Sequence, residues 1–102
     1  MKYIFDEQGC CENPSNLLLI NIDSFYLNIL YAECEGRWMA ATECKIDNRY
    51  DIGVVADYNT SNSLEEAIIN SLEYLIIIAK GWKKDTSLIQ EQIDKIKEPT
   101  LF

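Results

Sequence analysis

Phe25–Ile46, "FYLNILYAECEGRWMAATECKI", is the stretch whose reading decides the fold. Fold it on a two-residue turn at Glu35-Gly36 and Cys34 comes to face Arg37, the loop length of a tight hairpin. In that register Phe25, Leu27, Ile29 and Tyr31 share a face with Trp38, Ala40, Cys44 and Ile46. Tyr26, Asn28, Glu43 and Lys45 share the other face. Strand side chains alternate with period two, so a slip of one residue would throw the whole apolar set to the wrong side. One register sorts both strands at once, which predicts a hairpin with a buried face. Leu30, Met39 and Ala41 fall on the second face and leave it less than fully polar.

Working outward, "LLLINI" at Leu17–Ile22 reads as a preceding strand, although the aliphatic density of "LLLINIDSFYLNILYAE", Leu17–Glu33, fits a helical period as well. "KYIF" near the N-terminus reads as a short strand, and "DEQGCCENPSN" as a loop punctuated by Gly9 and Asn13-Pro14. After the hairpin, "IDNRYDIG" is a turn-bearing connection and "DIGVVADY" a further short strand. Ser63 with Glu66 three residues later matches a capping box, which starts a helix running to about Lys80 with Gly81 at its exit. Asp85 or Thr86 caps a second helix, "SLIQEQIDKIKE", with Leu88 or Ile89, Ile93 and Ile96 on one stripe and Pro99 at its end. Strands come first and helices after, so the predicted class is α+β. A small antiparallel sheet of three or four strands is packed on one side by two C-terminal helices, in a single domain over 1–102, with 1–58 mainly β and 63–98 helical.

The first helix carries more apolar residues than one buried face needs. Leu64, Ala67, Ile68, Ser71, Leu72, Leu75, Ile78 and Ala79 make one broad face at 3.6 residues per turn. Ile69 and Ile76 then form a second stripe at its border, and Ile77 stands almost among the polar residues. Either the second helix folds back over this stripe, or Ile69, Ile76 and Ile77 form an interface with another copy or a target.

Composition narrows the function. The chain has 102 residues and a net charge of -8, with no histidine. Residues 1–78 hold 13 acidic and four basic side chains, and residues 79–102 hold four acidic and five basic. Such a field opposes direct binding to nucleic acid or to an anionic membrane and favours basic partners. There is no apolar leader and no run long enough to span a membrane, so the expected location is the cytoplasm. Cys10, Cys11, Cys34 and Cys44 are then free thiols, none in a metal-type spacing. Serine or cysteine nucleophiles need a nearby base, most often histidine, and no glycine-rich phosphate loop or calcium-loop spacing is present. The expectation is a protein with no enzymatic activity, cofactor or metal.

What remains is a domain that works by binding. In size and charge it resembles, in general type, bacterial toxin-immunity proteins and phage anti-CRISPR proteins, both of which include small acidic domains that occlude basic surfaces; no motif carries this likeness. It implies an inhibitor of a protein target with a basic, nucleic-acid-binding surface, such as a nuclease, inside a bacterial host cell. The expected partner-binding residues are Glu33, Glu35 and Glu43 around the hairpin and Asp47, Asp51 and Asp57 at the following turns. Tyr26, Tyr50 and Tyr58 interleave with them as aromatic anchors. The alternative is a homo-oligomeric structural or assembly module of bacterial or phage origin that uses the isoleucine stripe, so the chain is expected to be a monomer or a homodimer.

Overall fold

A computed structural model describes residues 2–46, 49–56 and 60–97 of the chain. Four strands, β1 (Ser15–Ile22), β2 (Phe25–Cys34), β3 (Arg37–Ile46) and β4 (Arg49–Ala56), precede two helices, α1 (Leu64–Gly81) and α2 (Ser87–Lys97). The strands form one antiparallel sheet in the order β1-β2-β3-β4, so each strand lies beside its neighbour in sequence. Helix α1 lies mainly across β3, with β4 and β2 on its flanks, and α2 packs on α1. This is the α+β arrangement the element order implies.

The central hairpin has the register read from the sequence. Cys34 pairs with Arg37, Leu27 with Cys44 and Phe25 with Ile46. Glu35 and Gly36 turn the chain with φ of 53° and 79°, the left-handed pair that matches the twist of the flanking strands. Phe25, Leu27, Ile29, Ala40, Cys44 and Ile46 enter the core beneath the helices, where they meet Ala67, Ile68, Leu72, Leu75 and Ala79 of α1. Trp38 and Tyr31 are half-buried at the border of this core, their ring centroids 6.2 Å apart.

β1 is a strand, and its lack of alternation is resolved by a bulge. Leu17 pairs with Ile29 and Leu18 with Asn28, the register then shifts, and Ile20 pairs with Leu27. The extra residue, Leu19, carries Ile20 and Ile22 to the helix side and Asn21 to the outer side, where strict alternation would have put Asn21 in the core. The predicted strand at "KYIF" is instead a single bridge between Phe5 and Cys11. Asp6 makes the turn between them, its carboxylate accepting from the N–H groups of Gln8 and Cys10 at 2.9 Å each, with Gly9 at φ 84°.

The Ser63 hydroxyl caps α1 by accepting from the Glu66 N–H at 3.1 Å. The helix runs past its expected exit, however. The left-handed residue is Lys83 (φ 59°), not Gly81; the Lys84 N–H returns to the Ala79 carbonyl and the Lys83 N–H to the Lys80 carbonyl. That pair of bonds is the usual way of satisfying the last carbonyls of a helix. It aims the chain into α2, whose Ile89 and Ile93 are buried in the common core. The surplus stripe of α1 is thereby corrected: Ile76 is buried and Ile69 packs against the core, which leaves only Ile77 bare, at 66% exposure. An interface through all three isoleucines is not open in this fold. No described helix is long and apolar enough to cross a membrane.

Candidate protein-binding face

The helices cover one side of the sheet, so the other side is where the fold presents a surface. Its residues are the second set of the hairpin: Tyr26, Asn28, Leu30 and Ala32 on β2, opposite Lys45, Glu43, Ala41 and Met39 on β3. The face divides along the strands into a polar half and an apolar half.

The polar half is a ladder across three strands. Asn28 lies in the middle, only 5% exposed, and its side-chain amide donates to Asn16 Oδ1 of β1 at 2.9 Å and to Glu43 Oε1 of β3 at 3.3 Å. The Tyr26 hydroxyl donates to the same Glu43 oxygen at 3.4 Å, and the Lys45 ammonium lies over the Tyr26 ring, 5.1 Å from its centroid. Burial raises the pKa of the Tyr26 phenol, and the neighbouring Glu43 carboxylate pushes it the same way against the opposing pull of Lys45. A phenol held protonated donates, and the Glu43 carboxylate accepts from it. The ladder therefore fixes Glu43 as a localised negative charge on a rigid strand, and a partly shielded anchor of this kind is screened less than a free side chain.

The apolar half is a groove. The chain before β1 turns back as a short hairpin and borders the sheet. Between the two lies a cavity of about 490 Å³, with Leu30, Ala32, Met39 and Ala41 on the sheet side and Gln8, Cys10, Cys11 and Pro14 on the hairpin side. Asn13 locks this hairpin: its Oδ1 accepts from the Ile4 N–H at 2.7 Å and its amide donates to the Lys2 carbonyl at 2.9 Å. The Tyr3 and Ser15 hydroxyls, 2.8 Å apart, tie it to the start of β1. Asp6, Glu7 and Glu12, all exposed, flank the lining residues in sequence. A groove of this size with an apolar floor suits an apolar side chain. In sequence "DEQGCCENPSN" reads as a loop; the signal of its tight turn is Asp6 followed three residues later by Gly9, a turn pair between Phe5 and Cys11.

The predicted partner set is divided. Tyr26 and Glu43 stand together on the outer face. Glu33 and Glu35 are exposed at the hairpin end, where Glu33 pairs with Trp38, five residues or ~17 Å along β3 from Glu43. Arg37 fastens that end to the chain ahead of α1, donating to the Thr60 hydroxyl at 3.1 Å, to the Thr60 carbonyl at 2.9 Å and to Asn62 Oδ1. Tyr50 and Asp51 lie on β4, whose backbone path alone is described; Asp47, Asp57 and Tyr58 lie outside the described residues. Among the described residues no cluster of three or more histidine, cysteine, aspartate or glutamate side chains is placed to hold a metal ion. No protein family, curated protein or solved structure matches the chain.

Proposed function

We propose that this protein is a stoichiometric inhibitor that lays its outer sheet face on the basic surface of a target protein. The target is a nuclease or another nucleic-acid enzyme, and the setting is a bacterial cell, as in phage anti-defence (anti-CRISPR) or bacterial toxin-immunity systems. The observation that carries the reading is the outer face itself: an apolar groove beside a Glu43 held by Asn28 and Tyr26. A sheet buried on one side by helices needs only a wetted polar surface on the other, and this one has more apolar area and more fixed charge than that. Glu35 supports the reading from the hairpin end. The first position of its turn favours asparagine or glycine, and a glutamate there is held at φ 53°. The net charge of -8 steers association with a basic target.

The test is binding to a panel of purified basic nucleic-acid enzymes, with inhibition of their cleavage as the second readout. One enzyme should bind one-to-one and lose activity. Replacing Glu33, Glu35 and Glu43 with lysine should weaken that complex by at least about tenfold while circular dichroism stays native. Glu35→Asn should stabilise the free protein by about 0.5–1 kcal/mol and weaken the complex. Undiminished binding by the triple variant at physiological salt would remove the electrostatic reading.

A further inference from the structure

β1 is the edge of the sheet, and among the described residues no strand pairs with its outer side. Neither helix packs substantially on it. Of the seven large hydrophobic side chains exposed among the described residues, three lie on this strand: Leu17 at 40%, Leu18 at 52% and Ile22 at 55%. Open edges are ordinarily guarded by charge or proline, and Ser15–Ile22 contains neither.

We propose that β1 pairs with β1 of a second copy, antiparallel about a two-fold axis, and continues the sheet to eight strands. Two independent observations select a second copy as the occupant. The first is charge. Two molecules of charge -8 repel unless they meet where the charge is absent. Residues 13–22 are the longest uncharged run in the chain, and 24–32, on the neighbouring strand, are the next. An isologous contact at this edge sets one neutral strip against the other.

The second observation is that the strand reads nearly the same in both directions. In "SNLLLINI" Leu18 and Leu19 sit at the centre, Leu17 matches Ile20 and Asn16 matches Asn21. In a regular strand this pairing would be forbidden. Residues an odd number apart point to opposite faces, whereas directly opposed residues of an antiparallel pair share a face. The bulge removes the conflict. Leu17 and Ile20 both hold helix-side positions, opposite Ile29 and Leu27, and Asn16 and Asn21 both hold outer positions, opposite Leu30 and Tyr26. The extra residue of each copy, Leu19, then meets Leu18 of the other at the centre of the contact. Apolar faces apolar on the helix side, and amide faces amide on the outer side. Because the sheet is continued, the outer faces of the two copies lie on the same side of the dimer. The inference stands independently of the inhibitor reading.

The experiment is light scattering behind size exclusion on the full chain, from low to high micromolar concentration, with two double variants of matched sites. Wild type should be a concentration-dependent dimer. Asn16→Lys with Asn21→Lys sets lysine against lysine twice and should raise the dissociation constant at least tenfold. Asn16→Lys with Asn21→Glu sets lysine against glutamate twice and should dimerise at least as tightly as wild type. Both variants lose the same hydrogen bond to Asn28, so a common folding defect, checked by circular dichroism, affects them equally. A wild-type monomer throughout overturns the proposal and leaves the edge to a strand from another protein. A dimer indifferent to the lysine pair, or weakened alike by both variants, overturns it too.

Discussion

Ser71 shows how closely this small core is fitted. It lies on the buried face of α1, and among the described residues its hydroxyl is the only fully buried side-chain oxygen or nitrogen without a hydrogen-bond partner. A buried hydroxyl with no partner loses its hydration and regains nothing. Ser71→Ala removes that penalty and improves helix propensity, so it should stabilise the fold by about 1 kcal/mol. Urea denaturation should show a higher midpoint at unchanged slope. Ser71 was legible in the sequence as a core-face residue, since its place on the helical wheel is a matter of spacing. Its lack of a partner was not legible, because that depends on which side chains of other elements come near. The same divide holds for Asn28. Its outer-face position follows from counting along β2, but its burial depends on Asn16 and Glu43 arriving from either side.

At the scale of elements, the parts with local rules were readable. The hairpin announced itself because alternation on two strands and a Glu-Gly turn agree on one register, and α1 because Ser63 and Glu66 are three residues apart. The bulge in β1 was hidden, since four aliphatic residues in a row carry no phase. The left-handed residue after α1 is Lys83 and not Gly81, against the local preference for glycine, and spacing alone does not show it. The outer groove went unseen because it exists only where two distant segments meet. α2 supplies a pH test. At its start the Ser87 hydroxyl and N–H donate to Asp85 Oδ1 at 2.7 and 3.0 Å, and these bonds hold the Asp85 carboxyl below the usual carboxylate range. A carboxyl with a lowered folded pKa adds stability above its unfolded pKa, and that stability is lost as pH falls through the lowered value. Asp85→Asn should therefore narrow the stability difference between neutral pH and pH below about 4. Thermal melts of both proteins across that range measure it, and parallel curves would assign the pH dependence to other carboxylates.

Taken as a whole, the molecule has one core shared by sheet and helices. Ile89 and Ile93 of α2 belong to the same buried cluster as Leu27 and Ile29 of β2. Ile93→Ala should cost about 2–5 kcal/mol, a large share of the roughly 5–15 kcal/mol typical of a domain of this size. It should lower the single unfolding transition rather than release α2 alone. A separate early transition of α2 would mean that the helix is a detachable cover. The strand order has a consequence for how the chain is made. Every strand pairs with the one just before or after it, so the meander needs no late segment to complete it, and local pairings form quickly. On the ribosome, residues 15–56 emerge before 64–97, so the nascent sheet stands with its greasy side bare until α1 clears the exit tunnel. Until α1 docks, that bare side is what the newborn chain offers to aggregation.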